Sequence, residues 1–195
     1  MKPYSESCDQ NKDAILAVLK QELTETQTVL EIGSGTGQHA VYFSTQLSHL
    51  HWITSDLEEN HEGIKQWINE NPDGNIEGPI LIDVNQEHWL DESVCAIFSA
   101  NSAHIMNWSS VVNMMRGVSN TLRKGGVFSL YGPFNYKGDY TSESNRKFDA
   151  WLKERDPESG IREFEKLNFL AYENNMILKK DYEMPANNRL LVWVK

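Results

Sequence analysis

The chain has 195 residues, 39% of them hydrophobic and 24% charged, a composition that supports one folded domain spanning 1–195 and excludes global disorder. Lysine and arginine number 18 against 28 acidic residues, and the net charge of -10 disfavours nucleic acid binding through a broad basic surface. Its two cysteines, Cys8 and Cys95, fit neither a disulfide framework nor a zinc site. The sequence shows no secretory signal and no apolar run of membrane-spanning length. We therefore expect a cytoplasmic protein without a membrane partner.

Apolar residues alternate between helical and strand-like spacing over the first two thirds of the chain. In chain order, this pattern predicts a helix at 10–23, a strand at 28–32, a helix at 38–48, a strand at 51–55, a helix at 58–70, strands at 79–83 and 94–100, a helix at 108–122 and a strand at 126–132. Short buried strands separated by helices are typical of a parallel, doubly wound sheet.

The last third of the chain departs from this alternation. It predicts a polar loop at 133–143, helices at 144–155 and 161–174, and two strands at 176–183 and 189–194 joined by a turn-rich segment. The two strands form an antiparallel hairpin that completes a Rossmann-like α/β sheet of seven strands. We expect 133–174 to be an insertion on the substrate side and helix 10–23 to act as a lid.

The most informative segment is the loop between the first predicted strand and the helix after it. Glu31-Ile32-Gly33-Ser34-Gly35-Thr36-Gly37 has a G-x-G-x-G spacing, in which glycines permit a tight turn and close approach of a ligand to the backbone. The dinucleotide fingerprint is G-x-G-x-x-G, and Gln38 stands where its third glycine would be. Glu31 would be unfavourable beside a pyrophosphate, but it suits a cationic ligand such as the sulfonium and amino group of S-adenosylmethionine (SAM).

This loop resembles the first motif of class I SAM-dependent methyltransferases, written E/D-x-G-x-G-x-G. The predicted layout of five parallel strands and a terminal hairpin is also the layout of that superfamily. The resemblance implies a class I methyltransferase fold, SAM as the cofactor and S-adenosylhomocysteine (SAH) as its product. It also implies that the cofactor-binding residues include Glu31, Gly33, Ser34, Gly35 and Gly37.

Acidic residues end the second and third predicted strands. Asp56 and its neighbour Leu57 follow the second strand, where a carboxylate accepts hydrogen bonds from ribose hydroxyls in both NAD and SAM sites. In the resembled methyltransferases, an acid at the position of Asp83 binds the adenine amino group, and the backbone N–H of the next residue, here Val84, meets the ring. Helix capping is the alternative interpretation of Asp83. Near the start of the chain, Asn11 is a candidate to contact the cofactor's carboxylate, and a helix start signal is the alternative.

The segment Asn101-Ser102-Ala103-His104 follows the fourth predicted strand, where ligands of open α/β sheets bind. Many amine and base methyltransferases carry a D/N-P-P-Y/F motif here, and its absence argues against amino-group methylation through that motif. Asn101 is a candidate cofactor contact. His104 is a candidate general base, because the unperturbed pKa of histidine lies near neutrality. A hydrogen-bonded loop histidine is the alternative.

Aromatic and polar residues after the fifth predicted strand are candidates for a pocket that binds the methyl acceptor, because loops after strand ends carry function disproportionately. They are Tyr131, Asn135, Tyr136, Asn145, Arg155 and Arg162. Arg155 or Arg162 would clamp a carboxylate or a phosphate. Structural pairing is the alternative for each arginine taken alone.

Several longer motifs are similar to one group within the superfamily, the methyltransferase-like protein 26 group and its bacterial relatives. They are Asn11-Lys12-Asp13-x-Ile15-Leu16, residues 30–39, Ser55-Asp56, Asn101-x-x-His104-Ile105, Gly132-Pro133-Phe134-Asn135, Thr141-Ser142-x-Ser144-Asn145, Phe148-Asp149, Arg155-Asp156-Pro157-x-x-Gly160-Ile161-Arg162 and Met184-Pro185-Ala186-Asn187-Asn188. This resemblance implies a SAM-dependent methyltransferase and names no acceptor.

The sequence thus predicts a SAM-dependent methyltransferase acting on a small-molecule acceptor. One alternative is a SAM-binding module or subunit without catalysis, and a less favoured one is an NAD-dependent oxidoreductase. We predict no metal site, because His49 and His51 lack partner acids at ligand spacing. The acceptor atom and the oligomeric state stay open.

Overall fold

A computed structural model describes residues 2–71 and 75–195 of the chain. The helices are α1 Glu6–Glu22, α2 Gln38–Gln46, α3 Glu58–Ile68, α4 Trp108–Thr121, α5 Glu143–Arg155 and α6 Phe164–Glu173, with a short 3-10 helix at Pro185–Asn187. The strands are β1 Thr28–Ile32, β2 His51–Asp56, β3 Ile76–Leu81, β4 Val94–Ala100, β5 Leu122–Gly132, β6 Phe134–Asn135, β7 Arg162–Glu163, β8 Ile177–Met184 and β9 Asn188–Val194.

Seven strands form one sheet in the order β3-β2-β1-β4-β5-β9-β8. The first five are parallel to their neighbours, whereas β9 runs antiparallel to both β5 and β8. The predicted seven-stranded, mostly parallel sheet with an antiparallel C-terminal hairpin is confirmed. The strand order reverses at β1, which has β2 on one side and β4 on the other. Ligands of doubly wound sheets bind at the carboxyl ends of the strands beside such a reversal.

Helices bury both faces of this sheet, because successive strand residues point to opposite sides. On one face α1 and α2 pack Leu19 and Phe43 against Trp52 and its neighbours. On the other face α4 and α6 pack Met114 and Leu167 against the opposite side of the same strands. No helix in 2–71 or 75–195 is long and apolar enough to cross a membrane.

The helix predicted at 10–23 begins earlier, at Glu6. Its first two turns are polar, so the apolar spacing that predicts a helix starts only at Ile15. From Ile15 onward the apolar face of α1 lies in the core. The residues that precede this face are the ones that lie near the carboxyl ends of the strands.

Other boundaries also differ from the prediction. The predicted loop 133–143 contains β6, which pairs with β7, and α6 therefore begins at Phe164 rather than at 161. Strand β5 begins at Leu122 rather than at 126, because the chain enters the sheet earlier, with an irregularity in its pairing to β4. Strand β3 ends at Leu81, so Asp83 lies two residues beyond it.

A close contact in α4 gives a test of the packing. Gly117 lies under Trp89, and a β-carbon at this position would collide with the indole ring. Replacing a helical glycine by alanine ordinarily stabilises a helix, but we expect Gly117→Ala to lower the free energy of unfolding by about 1–3 kcal/mol because it overpacks this contact. Urea unfolding measures the change. Asn120→Ala, on the exposed side of α4, is the control and should be neutral or slightly stabilising.

Candidate functional site

The loop between β1 and α2 has a backbone that only glycine adopts readily. Gly33, Gly35 and Gly37 have φ angles of 70°, 58° and 89°, all in the left-handed region. A β-carbon on Gly37 would also lie 3.1 Å from the α-carbon of Ile64 in α3. The G-x-G-x-G spacing therefore follows from the local geometry, which turns the chain tightly at the carboxyl end of β1.

A cavity of about 540 Å³ opens above this loop, and we call it the cofactor cavity. It lies beside the carboxyl ends of β1, β2, β3 and β4, the place expected for a ligand in this fold. Its lining residues are Ser5, Ser7, Cys8, Ile32, Gly33, Ser34, Gly35, Thr36, His39, Asp56, Leu57, Asn60, Ile82, Asp83, Val84, Asn85, Ala100, Asn101, Ser102, Ile105, Met106 and Ser110.

Asp56 joins the glycine loop to the end of β2. Its Oδ2 accepts a 2.7 Å hydrogen bond from the backbone N–H of Gly35. Its Oδ1 accepts from the backbone N–H of Leu57 at 2.7 Å and from Asn60 Nδ2 at 2.8 Å. A carboxylate offers about four acceptor positions. Oδ2 thus keeps one position for a hydroxyl donor in the cavity.

Apolar side chains and a carboxylate both line the cofactor cavity. Leu57, Val84 and Ile105 contribute apolar surface that suits a flat ring. Asp83 also lines the cavity, and its Oδ1 accepts from both the backbone N–H and the Nδ2 of Asn85 at 2.9 and 3.0 Å. Among the residues that the structure describes, none donates to its Oδ2. This carboxylate oxygen is therefore free to accept a hydrogen bond from an exocyclic amine.

Glu31 does not line the cofactor cavity, contrary to its predicted role as a direct contact. It is 2% exposed, and its Oε2 accepts hydrogen bonds from Ser34 Oγ at 3.0 Å and Trp52 Nε1 at 3.1 Å. Burial raises the pKa of Glu31 to about 7, and the nearby charge of Asp56 adds to this increase. Because a side chain two residues before the first glycine points back under the loop, Glu31 supports Ser34 from below.

The N-terminal segment 3–11 lies across the glycine loop. Gln38 holds it by accepting from the backbone N–H of Ser5 at 2.5 Å and donating to the Ser5 carbonyl at 3.3 Å. His39 Nε2 lies 2.6 Å from Asn11 Oδ1, and Trp67 Nε1 donates to the Pro3 carbonyl at 2.7 Å. The side chain at position 38, where the dinucleotide fingerprint has glycine, is thus used to fasten this segment.

A second cavity of about 340 Å³ lies beside the first, and we call it the acceptor cavity. It is lined by Ser7, Gln10, Asn11, Asn101, Tyr131, Pro133, Ser144, Asn145, Phe148, Pro185, Ala186 and Asn188. The two cavities have Ser7 and Asn101 in common. Asn11 therefore faces the acceptor cavity rather than the cofactor cavity, in which it was predicted to act.

His104 lines neither of these two cavities. It is 5% exposed, and its ring packs edge-on against Phe148 with the centroids 5.3 Å apart. Burial and the charge of Arg162 lower the pKa of His104 to about 4. The ring contacts Phe148 and lines neither cavity, so the structure does not support its predicted role as a general base.

Of the six predicted acceptor-pocket residues, the structure brings Tyr131 and Asn145 to the acceptor cavity. Arg162 instead donates from Nε to the Ala103 carbonyl at 2.9 Å and from Nη2 to the Met106 carbonyl, which ties β7 to the loop after β4. Arg155 lies over the ring of Trp151 at 4.6 Å. Neither arginine is placed to clamp an anionic acceptor.

The other two predicted acceptor-pocket residues are structural. Tyr136 donates to Asp181 Oδ2 at 2.8 Å and stacks on Phe164, and burial and Asp181 raise its pKa. Asn135 is buried in β6, and its Oδ1 has no hydrogen-bond partner in the described part of the chain. Both lie outside the two cavities.

Sequence reasoning missed several lining residues, including Asn60, Ile105, Ser7 and Phe148. Asn60 had a signal, since it stands four residues after Asp56 at the start of α3, a spacing that brings side chains together. The others come from segments distant in sequence, and only the fold brings them to the cavities.

Comparison with known families and structures agrees with this geometry. The family described as "Protein of unknown function (DUF938)" matches residues 2–195. The chain belongs to this family. Among solved structures, human N-acetylserotonin methyltransferase in complex with SAM is similar with a TM-score of 0.83 and 12% identity, over 97% of this chain and 53% of that chain.

Two further structures have the same fold. The SAM-dependent methyltransferase SibL in its apo form has a TM-score of 0.82 and 15% identity, over 96% of this chain and 55% of its own. NcsB1, an O-methyltransferase from neocarzinostatin biosynthesis in complex with SAH and 1,4-dihydroxy-2-naphthoic acid, has a TM-score of 0.78 and 15% identity, over 96% and 54%. The DUF938 chain thus has the class I methyltransferase fold and spans about half the length of these proteins.

The buried Glu31 predicts a pH dependence of stability. Its pKa is raised from 4.5 to about 7 in the fold, so the folded state binds more protons than the unfolded state between these values. The wild type therefore loses stability as the pH rises through this window. Glu31→Gln does not titrate, and its stability relative to wild type should rise by about 3 kcal/mol between pH 4.5 and 7 and then stay level.

Urea unfolding at pH 5, 6, 7 and 8 measures this difference. His39 and His104, whose pKa values are lowered to about 4, contribute the opposite slope, but equally in both proteins. Glu59→Gln, an exposed acid on α3, is the control. A constant difference between Glu31→Gln and wild type across the series would contradict the raised pKa.

The two hydrogen bonds between Gln38 and Ser5, which hold the N-terminal segment, give another test. Gln38→Ala removes both hydrogen bonds to Ser5, so the backbone of 3–11 should open more often. We expect faster amide hydrogen exchange in peptides from this segment, measured by mass spectrometry, with exchange in the sheet unchanged. Gln46→Ala, exposed at the end of α2, should leave 3–11 at the wild-type rate. Equal exchange in both variants would show that Gln38 does not hold the segment.

Proposed function

We propose that this DUF938 chain is a SAM-dependent methyltransferase that acts on a small-molecule acceptor. The observation that carries the proposal is the pair of adjoining cavities that share Ser7 and Asn101. One has the features of a nucleoside site, and the other is a second cavity beside it at the carboxyl ends of β4 and β5. A methyl transferase needs this adjacency, because holding two reactants in contact accounts for much of the acceleration of such a reaction.

The groups available in the cofactor cavity fit SAM. Oδ2 of Asp56 keeps an acceptor position for a ribose hydroxyl, and Oδ2 of Asp83 is available to the adenine amino group beside Leu57 and Val84. The loop Gly33, Ser34, Gly35 and Gly37 offers backbone that a ligand approaches closely. When bound, SAM would supply an electrophilic methyl group. The protein's own contribution is to orient the two reactants and to exclude water between them.

The alternatives have less support. An NAD-dependent oxidoreductase would need position 38 open to a pyrophosphate, but the Gln38 side chain is bonded to Ser5. A SAM-binding module without catalysis has no need of the acceptor cavity. The structural neighbours named above are described as methyltransferases, one of them in complex with SAM and one with SAH, which supports methyl transfer from SAM here.

Three more specific predictions from the sequence are part of this proposal. We keep the relationship to the methyltransferase-like protein 26 group, the cytoplasmic location and the single domain with 133–174 on the substrate side. The last is supported by Asn145 and Phe148 of α5, which line the acceptor cavity. The lid function is narrowed to 3–11, because the rest of α1 is part of the core.

Isothermal titration calorimetry with SAM, SAH and NADH tests the cofactor. We expect SAM and SAH to bind and NADH not to bind. Asp56→Ala removes the acceptor for the ribose and for Gly35, so both affinities should fall by at least about tenfold, the equivalent of one or two hydrogen bonds.

Asp91→Ala, fully exposed in the segment between β3 and β4, is the matched control and should bind SAM as the wild type does. Binding of NADH, or SAM binding that is unaffected by Asp56→Ala, would refute the assigned site. Absence of SAM binding would refute the proposed function.

A further inference from the structure

We propose that the acceptor cavity selects an uncharged molecule that takes the methyl group on a nitrogen or sulfur lone pair, without a protein base. This inference rests on the proposed function and specifies its substrate class. An aromatic ring nitrogen and a thioether sulfur are examples of such acceptor atoms.

The first supporting feature is the charge of the residues that line the acceptor cavity. None of the twelve described residues that line it carries a charge at neutral pH, and five of them are asparagine or glutamine. Arg155 and Arg162, the two arginines predicted to bind an anionic acceptor, are held elsewhere. Moving an ion from water into such a site without a partner of opposite charge is unfavourable. An uncharged acceptor avoids this cost.

The second supporting feature is the hydrogen-bonding capacity of the side-chain amides at the acceptor cavity. Asn145 is 5% exposed, and its Nδ2 donates to Thr141 Oγ1 at 2.8 Å and to the Asn187 carbonyl at 3.1 Å. Because a carbonyl only accepts, the amide nitrogen must face Asn187, which fixes the orientation of the amide group. Its Oδ1 accepts no hydrogen bond from any residue in the described ranges. Asn145 thus presents a fixed acceptor to a neutral N–H or O–H group.

Asn101 stands at the junction of the two cavities with its side-chain amide unbonded to any described residue. Its φ angle of 57° is left-handed, a conformation that asparagine tolerates better than most residues. Phe148 and Tyr131 add aromatic surface to the same cavity. These features together suit a small, flat, polar molecule without net charge.

The third supporting feature is that the described residues lining the acceptor cavity include no group suited to accept a proton. Tyr131 is the only ionisable residue among those that line the acceptor cavity, and burial raises its pKa. His104 contacts Phe148 and does not line the cavity. The ring of His39, in the cofactor cavity, is bonded to the Asn11 side chain and the Cys8 backbone. A neutral hydroxyl is a poor nucleophile unless a base removes its proton, and these contacts provide none.

A nitrogen or sulfur lone pair needs no such base. It forms the new bond to the methyl carbon while the bond between that carbon and sulfur breaks, and the electron pair of the broken bond remains on the sulfur of SAH. The acceptor becomes a methylated cation. Any proton that this cation then loses goes to water. The positive charge of the sulfonium passes to the acceptor, so the total charge held in the two adjoining cavities does not change during the transfer.

The experiment separates acceptors by charge before they meet the enzyme. An ultrafiltered yeast extract is passed over anion and cation exchangers at pH 7 to give anionic, cationic and unretained fractions. Each fraction is incubated with the protein and SAM carrying a trideuterated methyl group. Mass spectrometry detects the labelled product, and NMR identifies the methylated atom. We expect label in the unretained fraction, on nitrogen or sulfur.

Every other outcome overturns the inference. Label mainly in a retained fraction would show that the acceptor is charged. An O-methyl product would show that the methyl group does not go to a nitrogen or sulfur lone pair. Absence of label in all three fractions, with SAM binding by calorimetry intact, would refute the inference while the cofactor assignment stands. Absence of SAM binding would be the separate failure of the proposed function.

Variants then connect the activity to the cavity. Asn145→Ala should lower methyl transfer about tenfold, the equivalent of one hydrogen bond, with little change in SAM affinity. Phe148→Leu keeps apolar bulk and tests the same cavity if Asn145→Ala folds poorly. Asn120→Ala on α4 is the control and should retain wild-type transfer. Wild-type transfer in both cavity variants would show that the acceptor binds elsewhere.

Discussion

The hydrogen bond from the Gly35 backbone to the Asp56 carboxylate holds the candidate site together. It connects the loop after β1 to the end of β2, and the other oxygen of Asp56 fixes the first turn of α3 through Leu57 and Asn60. The left-handed glycines let the loop approach Asp56 closely. The same carboxylate that is available to a ribose therefore also shapes the cavity. A substitution at Asp56 consequently changes the loop as well as the contact with a ligand.

The two faces of the glycine loop have different environments. Below it, burial favours the protonated form of Glu31, although the hydrogen bonds donated by Trp52 and Ser34 favour its carboxylate. Above it, the segment 3–11 is fastened by Gln38 and His39 and contributes Ser7 to both cavities. One short segment thus contributes to the lining of both the cofactor cavity and the acceptor cavity. The uncharged lining of the acceptor cavity contrasts with the acidic chain around it.

Much of the fold could be predicted from local patterns. The alternating strands and helices, the terminal hairpin and the glycine loop are all encoded in residues adjacent in sequence, so spacing alone reveals them. Two carboxylates that line the cofactor cavity were also found from the sequence, because Asp56 ends β2 and Asp83 follows β3 closely. Most residues that line the acceptor cavity were not. His104, Arg155 and Arg162 have residue types suited to catalysis or to anion binding, but their side chains are turned to Phe148, to Trp151 and to backbone carbonyls.

The sequence by itself determined the doubly wound sheet, the turn that requires three glycines and the carboxylates at strand ends, since each depends on nearby residues and on backbone sterics. Only the tertiary structure decided that Glu31 lies under the loop, that Gln38 fastens Ser5, and that the acceptor cavity is lined by α1, β5, α5 and the segment before β9. These features depend on contacts between residues far apart in the chain. Which of two neighbouring polar side chains faces a cavity is decided by the packing around it, and periodicity does not encode that packing.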